Sequence, residues 1–449
     1  MKYVFNIAWY VVAGLVLFFM GAVYQWYFNR HPESPFAVVD PTLDGAKDNV
    51  AETLHLLGLK KPGHYHQTSL SPTDQFVDRS AAQPGLTLLT GVGSNALLEA
   101  RVVEPEGGVV QHWNLDWFEI WPDAEHVPDI FVPKQKPGTN IHGAAVMENG
   151  DLVFNYEYQG LVRMDVCGEV VWRLPYQTHH SIFVDEQSGH LWVSGKRFHE
   201  EPVARLPNHR PPFAEPTVLE ISPGGEILQE ISVFDILYDN DMEGLLQLKD
   251  FGEIINKDGT TTGDTLHLND IEVFPGDLPA GQFKPGDIML SLRNIHTVLV
   301  FDPESLEITF IKTGDVIGQH DPDFIDGDTI SVFDNHVTSK ADALQQSRII
   351  MLDAPEGDVD VYYEGTEKQP FYTDVMGKHQ WLENGNLLLT EATKGRAFEV
   401  DPEGRVVWQL VNFVEEEGWV GELSEAQRLP ATIDDQFFER QRKRCSLPS

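Results

Sequence analysis

Two stretches decide the fold because they repeat one pattern: HGAAVMENGDLVFNYEYQGLVRMDVCGEVVWRL at residues 142–174 and KHQWLENGNLLLTEATKGRAFEVDPEGRVVWQL at residues 378–410. Each begins with a β-rich run, turns at Asn-Gly, continues in an apolar strand, and ends in a strand pair around a glycine turn. Asn-Gly between apolar runs is a strong hairpin signal. Each stretch is therefore predicted to form a meander of four short antiparallel strands.

Related units occur elsewhere in the chain, beginning at Gly85 in degraded form, and at His180, His267 and His320. Repeats of roughly 40 to 50 residues with four strands each are typical of β-propeller blades. A solenoid is disfavoured because every unit is a meander without a helix. We therefore predict an all-β fold, a six-bladed β-propeller over residues 85–418. Two long inserts are predicted to be loops on one rim, Phe198–Pro216 and Phe234–Asp264.

The N-terminal segment is predicted to be a membrane anchor. The run from Ile7 to Tyr24 carries no charge and is long enough to cross a hydrocarbon layer as a helix. A cleaved signal peptide is the alternative, but no small-x-small cleavage site follows the run. The predicted parts are a transmembrane anchor in 1–30, a linker and propeller lead-in in 31–84, the propeller, and a helical, basic tail in 419–449. The predicted location is single-pass and membrane-anchored, with the propeller periplasmic or extracellular.

The charge of the chain limits its partners. A formal net charge of −38 repels phosphate backbones, so nucleic acid is a poor candidate partner. The sequence contains neither a G-x-x-x-x-G-K-[ST] loop nor a βαβ unit, the usual elements that bind nucleotide phosphates. We predict that the protein uses no cofactor.

Cysteines and metal-ligand patterns are sparse. Cys167 and Cys445 imply no disulfide framework, although a single bridge between them stays open. The sequence HEEPV at His199 lacks the second histidine of a zinc helix. The segment Asp239–Asp250 loosely resembles a calcium loop, and a solvated loop is the alternative. We predict no metal site.

Five histidines open the first strand of their units: His142, His180, His267, His320 and His379. The first strand of a propeller blade lies nearest the axis, so these residues are expected to face the channel mouth. A single such histidine would be a hydrogen-bonded structural residue. Five in equivalent positions instead predict a ring of imidazoles around one cavity, where burial and neighbouring charges set their pKa values. His142 and His379 lie in the most regular units and are favoured as structural residues that bond a neighbouring blade, whereas the irregular surroundings of His180, His267 and His320 favour function.

Three motifs together resemble the arylsulfotransferase family, nucleotide-independent enzymes with a six-bladed propeller that move a sulfuryl group from an aryl sulfate to a phenol. The motifs are HLND at 267–270 with SLRN at 291–294, GQHDPDFIDGDTISVFDNH at 318–336, and the closing GNLLLTEATKGRAFEVDPEGRVVWQLVNF. The resemblance covers about Thr139 to Phe413. The chain departs from the family pattern where a histidine often follows Arg293 directly, and in a shortened link before His320.

The resemblance implies a role for each matching residue. The nucleophilic histidine of the family falls on His320, and the other catalytic positions fall on His267, Arg293 and His180. Asn269, His179 and Asn335 are assigned to substrate binding.

The chemistry of sulfuryl transfer suits these residue types. A neutral imidazole is nucleophilic near pH 7 and forms a labile N-sulfonate. Fixed N–H donors and a permanent cation can meet the negative charge on the sulfuryl oxygens and on the departing phenolate. The predicted partners are therefore a small aryl sulfate and a phenol.

Two other functions stay open, because a propeller supports both catalysis and binding. The first is a non-catalytic, membrane-anchored propeller that acts as a binding or scaffolding module. The second is a lyase or hydrolase that uses the same channel. Aromatic residues that are candidates either for stacking on a phenol or for the blade core are Trp113, Trp117, Trp192 and Trp381.

Overall fold

The computed structural model describes residues 63–446, with gaps at 128–131, 135, 208, 249–253, 256–260, 263, 338–345 and 415–417. The strands in chain order are β1 (Tyr65–Gln67), β2 (Phe76–Val77), β3 (Thr87–Val92), β4 (Leu98–Val103), β5 (Val109–Asn114), β6 (Ile141–Val146), β7 (Leu152–Tyr156), β8 (Gly160–Met164), β9 (Val170–Leu174), β10 (Gln177–Val184), β11 (Leu191–His199), β12 (Phe213–Ile221), β13 (Ile227–Ser232), β14 (Ile254–Ile255), β15 (Thr261–Thr262), β16 (Leu268–Val273), β17 (Ile288–Leu292), β18 (Thr297–Phe301), β19 (Ile308–Thr313), β20 (His320–Phe324), β21 (Thr329–Asp334), β22 (Arg348–Asp353), β23 (Val359–Glu364), β24 (Lys378–Trp381), β25 (Leu387–Glu391), β26 (Arg396–Val400), β27 (Val406–Val411), β28 (Trp419–Gly421) and β29 (Leu423–Arg428). The α-helices are α1 (Trp117–Ile120), α2 (Val233–Asp239) and α3 (Asp435–Arg442). Short 3-10 turns occur at Pro72–Asp74, Ser94–Ala96, Glu243–Gln247, Arg293–Ile295, Ala392–Lys394 and Lys443–Ser446.

Six antiparallel sheets form the blades, which confirms the predicted six-bladed propeller. The blades are listed here with the strands of each blade in order from the axis outwards: blade 1 (β29-β3-β4-β5), blade 2 (β6-β7-β8-β9), blade 3 (β10-β11-β12-β13), blade 4 (β16-β17-β18-β19), blade 5 (β20-β21-β22-β23) and blade 6 (β24-β25-β26-β27). The first strands of neighbouring blades contact one another, so they surround the axis. Strand β2 adds a fifth strand to the outer edge of blade 6, and β1 pairs with β28.

The ring closes through the C-terminal strand, where the structure differs from the predicted boundary at residue 418. Strand β29 pairs with β3 from Leu423 opposite Gly91 to Arg428 opposite Thr87. The segment was predicted to belong to a helical tail. Its polar residues nevertheless suit an inner strand, because they can face the channel or a neighbouring blade. Helix α3 follows it, as predicted, and buries Phe438 completely.

The rim inserts contain more structure than the predicted loops. Helix α2 begins at the second insert and buries Phe234, Ile236 and Leu237. The segment compared with a calcium loop begins at the last residue of α2 and then forms a 3-10 turn, and its last two residues lie outside the described residues. Asp264, the last residue of this insert, enters the axial site described below.

Apolar side chains pack between the blades and leave polar residues for the axis. Trp113, Trp117 and Trp192 belong to these buried clusters. They are therefore core residues rather than stacking platforms. Trp381 is partly buried and borders a cavity on the axis.

The predicted membrane anchor lies outside the described residues. Within residues 63–446 and their stated gaps, no helix has the length and apolar character to span a bilayer.

One disulfide joins Cys167, in the turn between β8 and β9, to Cys445 near the C-terminus. The sequence left such a bridge open without favouring it. The bridge fastens the turn after α3 to blade 2, while Phe438 of α3 packs against Trp113 of blade 1 in the core cluster that blades 1 and 2 share. The C-terminal region thus supplies the inner strand of blade 1 and a covalent link to blade 2.

Removal of this bridge should destabilise the closed ring. Replacing Cys445 by Ser should lower the free energy of unfolding by about 2–4 kcal/mol, because the unfolded chain gains conformational freedom. Urea unfolding followed by tryptophan fluorescence measures the change. Dithiothreitol should destabilise the wild type and leave the variant unaffected, and equal stability of the two oxidised proteins would contradict the expectation.

Candidate active site in the axial channel

The inner strands of blades 1 to 5 each carry an irregularity that aims side chains at the axis. The pairing register shifts between Leu423 and Glu425, Ile141 and Gly143, His179 and Ile182, Leu268 and Asp270, and His320 and Pro322. A β-bulge leaves a residue unpaired and redirects its side chain. The residues skipped by these shifts are Ser424, His142, His180, Ser181, Asn269 and Asp321, and all of them line one small axial pocket.

The structure brings four of the five predicted axial histidines together. The ring centroid of His180 lies 4.4 Å from that of His142, 4.9 Å from that of His267 and 6.3 Å from that of His320. The adjacent His179 ring is 4.9 Å from His180. We call His142, His179, His180, His267 and His320 the imidazole cluster.

His379 does not join the imidazole cluster, which corrects the prediction of five equivalent positions. Its Nδ1 lies 3.0 Å from Asp321 Oδ2 and its Nε2 lies 2.7 Å from Ser331 Oγ. The reason is local: the pairing of β24 with β25 contains no register shift. Lys378, the residue before His379, therefore lines the pocket instead.

His320 is buried and held in one tautomer. Its Nδ1 lies 2.7 Å from Asn335 Oδ1. The Asn335 Nδ2 donates to the carbonyl oxygens of Thr373 and Met376, at 3.1 and 2.7 Å, so the amide oxygen must face the imidazole. Nδ1 of His320 therefore carries the proton, and Nε2 keeps its lone pair.

Burial and the positive charge of Arg293 lower the pKa of His320 well below its usual 6.5. A neutral imidazole at pH 7 follows, and neutral imidazole is the nucleophilic form. Asn335 was predicted to bind substrate; in the structure its amide hydrogen-bonds to His320 and to the loop at Thr373 and Met376.

His267 is paired with a carboxylate that the sequence did not single out. Nδ1 of His267 lies 2.8 Å from Asp264 Oδ2, and its backbone N–H donates to Oδ1 of the same side chain. Lys196 Nζ donates to Asp264 Oδ2 at 2.5 Å and lies 3.9 Å from the centre of the Tyr158 ring. Although burial opposes it, Lys196 and His267 hold the pKa of Asp264 well below its usual range. The carboxylate is thus charged and orients the imidazole.

Arg293 adjoins this pair at the 3-10 turn after β17. Its backbone N–H donates to the His267 carbonyl at 3.1 Å, and its Nη1 donates to Asn294 Oδ1 at 3.1 Å. Its charge acts on both His320 and Tyr158, lowering the pKa of each, although burial dominates at Tyr158 and raises the pKa overall. The predicted cation therefore lies near enough to the predicted nucleophile to influence its protonation.

His179 and His180 share one proton position, with their Nδ1 atoms 2.6 Å apart. Burial, supported by neighbouring cations and imidazoles, lowers the pKa of both rings well below 6.5, so both are neutral near pH 7. His180 has a left-handed backbone, with φ of 58°, which accompanies the bulge. One ring donates the shared proton and the other accepts it.

Several buried polar atoms at the imidazole cluster have no hydrogen-bond partner within the described part of the chain. They are His142 Nδ1, His179 Nε2, Asn269 Oδ1 and Ser424 Oγ. Asn269 donates its Nδ2 to the Gln319 carbonyl at 2.8 Å, which fixes its oxygen as the free end. Buried polar atoms are normally paired, so this set indicates a site for a polar ligand.

A larger cavity of about 450 Å³ lies on the other side of Lys378. We call it the carboxylate chamber because its lining includes Asp270, Glu272, Asp321, Asp323 and Glu425. Burial raises the pKa of both Asp270 and Glu425 to about 7.

The sequence predicted no metal site, yet ligand atoms of Asp321, Asp323 and His379 lie within 4.8 Å of one another at this chamber. His379 is already bonded on both nitrogens, to Asp321 and Ser331. The group is thus a hydrogen-bonded cluster in this structure.

Comparison with known proteins decides the family. The family model described as arylsulfotransferase (ASST) matches residues 142–413, more than half of the chain. The chain belongs to the arylsulfotransferase family. The matched region contains the imidazole cluster, Arg293 and Lys378, whereas β29 and Ser424 lie beyond it. No curated protein matches the chain in sequence.

Solved structures similar to this arylsulfotransferase family member share little sequence with it. A Bacteroides caccae protein of unknown function is 14% identical, covers 73% of this chain and 94% of its own, and has a TM-score of 0.42. A chain of the nidogen/laminin complex is 11% identical, with coverages of 76% and 97% and a TM-score of 0.41. An inactive virginiamycin B lyase from Staphylococcus aureus, solved with quinupristin, is 13% identical, with coverages of 61% and 70% and a TM-score of 0.33.

The protonation state of His320 can be read directly by nitrogen NMR of the imidazoles. We expect a neutral ring with its proton on Nδ1 from pH 8 down to pH 6, because a lowered pKa places protonation below 6.5. Replacing Asn335 by Leu should free the ring to exchange between tautomers. A doubly protonated His320 at pH 6 in the wild type would contradict this assignment.

Proposed function

We propose that this protein transfers a sulfuryl group from an aryl sulfate to a phenol through a covalent intermediate on His320. The observation that carries the proposal is the state of that side chain: a buried, neutral imidazole with its free Nε2 lone pair fixed by Asn335 and a guanidinium beside it. A binding module needs none of this arrangement.

The first half of the reaction forms one bond and breaks one. Nε2 of His320 attacks the sulfur of the aryl sulfate, an N–S bond forms, and the bond between sulfur and the aryl oxygen breaks. The phenolate leaves with the bonding electrons. A phenol has a pKa of about 10, so a weak acid suffices to protonate the departing oxygen.

His267 is the group that fits this acid. Its Nδ1 donates to the charged Asp264, whose negative charge faces the ring, and its Nε2 is left for the substrate. In the second half the same ring, now neutral, removes the proton of the incoming phenol. The phenol oxygen then attacks sulfur, the N–S bond breaks, and both histidines return to their starting states.

Arg293 and His180 supply N–H donors for the negatively charged sulfuryl oxygens. A fixed guanidinium forms strong charge-assisted hydrogen bonds to oxyanions. The buried setting enlarges this effect relative to water. Asn269 offers its free oxygen as an acceptor for the phenol O–H, and His179 orients His180 through their shared proton.

The propeller is proposed to work outside the reducing cytosol. The Cys167–Cys445 bridge supports this, because disulfides persist in oxidising compartments. A single-pass anchor at Ile7–Tyr24, with the propeller in the periplasm or outside the cell, stays a prediction that agrees with such a location.

The covalent intermediate is directly testable by mass spectrometry. Protein quenched shortly after addition of 4-nitrophenyl sulfate should carry a sulfuryl adduct on His320, and replacing His320 by Ala should abolish it. His190→Ala is the matched control, because His190 lies in a blade 3 hairpin and pairs with Glu220. Phenol release that depends on an added phenol acceptor identifies a transferase. Release without acceptor would indicate a hydrolase, and no release and no adduct would contradict the proposal.

The role of Arg293 predicts a large and specific loss of rate. Replacing Arg293 by Met should lower kcat/KM by about 100-fold or more, since removing one such stabilising donor typically costs about 3 kcal/mol. Arg79→Met serves as the control, because the Arg79 side chain is 76% exposed. The Arg293→Met substitution should also raise the apparent pKa for adduct formation towards 6.5, because a cation that opposes protonation of His320 is lost. Equal losses of kcat/KM in the Arg293 and Arg79 variants would contradict a role for Arg293 in the site.

A further inference from the structure

Lys378 of blade 6 reaches across the axis of the propeller. Its Nζ lies 2.8 Å from Ser181 Oγ, 3.3 Å from Asp270 Oδ1 and 2.5 Å from Asp321 Oδ1. These partners belong to blades 3, 4 and 5, and blade 3 stands opposite blade 6 in a six-bladed ring. The ammonium group must therefore lie in the channel itself.

This ammonium separates two cavities. The pocket of the imidazole cluster and the carboxylate chamber have three lining residues in common, Ser181, Asp321 and Lys378. Ser181 and Asp321 directly follow His180 and His320 in sequence. Lys378 thus forms the floor of the pocket that contains the nucleophile and the roof of the chamber beyond it.

We propose that Lys378 is a sulfuryl-binding residue, whose ammonium contacts the sulfuryl oxygens at His320 and closes the pocket towards the carboxylate chamber. This inference rests on the proposed function and adds to it a second cation besides Arg293. An ammonium has three N–H donors, and a strongly bound oxyanion can replace the weakest of its present acceptors.

Asp270 is that weakest partner. Its contact with Lys378 is the longest of the three, and Ser181 Oγ also donates to it. Burial raises the pKa of Asp270 to about 7, so the carboxyl is readily protonated near neutral pH. An arriving sulfate anion disfavours the charged form of Asp270 further, and binding should take up a proton there. Asp321 stays charged and keeps Lys378 protonated.

The distribution of charge along the channel also indicates from which end the substrates enter. The carboxylates of the chamber disfavour entry of an anionic aryl sulfate from that end. Arg293, His267 and Lys196 are not part of the lining of that chamber, and the charge of Arg293 acts on His320. We therefore expect donor and acceptor to enter from the Arg293 side.

The test uses inorganic sulfate as the probe and the full-length protein. Isothermal titration calorimetry should show sulfate binding to the wild type with proton uptake, revealed by repeating the titration in buffers of different ionisation enthalpy. In the charge-balanced double variant Lys378→Met/Asp321→Asn the sulfate Kd should rise at least tenfold, about 1.4 kcal/mol. The KM for the aryl sulfate should rise with it.

A second variant tests the same site without removing the lysine. Replacing Asp270 by Asn frees the ammonium from a competing carboxylate, so sulfate should bind more tightly and with less proton uptake. A lysine that only balances the buried acids would not produce this gain. Thermal unfolding of each variant shows whether the fold is intact.

The outcomes separate this inference from the proposed function. Sulfate binding that weakens in the double variant, without sulfuryl transfer by the wild type, supports Lys378 and contradicts the function. Transfer by the wild type with unchanged Kd and KM in the folded double variant overturns the role of Lys378 and leaves the function. If the double variant does not fold, unchanged sulfate affinity in Asp270→Asn overturns the inference.

Discussion

The pairing of β29 with β3 is the interaction on which the remaining structure depends. This C-terminal strand completes blade 1 and also bonds to both neighbouring blades. Glu425 accepts from the Ala144 backbone of blade 2 at 2.9 Å, and the Ala426 N–H donates to Thr390 of blade 6 at 3.0 Å. The buried pair Arg428 and Glu399 adds a charged link to blade 6 at 3.2 Å. An axial site made from residues of separate blades exists only when the ring is closed.

Burial then shifts the pKa values of the side chains along the axis, downwards for imidazoles and upwards for carboxylic acids. Removal from water disfavours any charged form, so it keeps imidazoles neutral and carboxylic acids protonated. In the imidazole cluster burial lowers the pKa of His320, whereas in the carboxylate chamber it raises the pKa of Asp270 and Glu425 to about 7. The cationic side chains Arg293, Lys196 and Lys378 contact or act on members of these groups. A strongly anionic protein can therefore offer an anion site, because local cations act at short range.

The bulges connect fold to chemistry. A regular inner strand alternates its side chains between its two faces. One unpaired residue in four inner strands, and two in β10, break that alternation and present polar groups to a common pocket. The sixth inner strand stays regular, so His379 lies away from the cluster and Lys378 enters the channel. The asymmetry of blade 6 thus places a cationic side chain on the axis.

The sequence alone determined the number of blades, because turns and strand alternation are local properties that repeat visibly along the chain. It also predicted His320, His267, His180 and Arg293 as site residues, because their motifs resemble those of the family. It did not single out Lys196 or Lys378, since each acts on residues of other strands or blades and carries no local pattern. Asp264 was missed although it lies only three residues before His267.

Only the tertiary structure decided that β29 closes the ring, that Cys167 meets Cys445, and that Asn335 hydrogen-bonds to His320. Those facts depend on contacts between residues far apart in the chain, which form only when the blades pack around their axis.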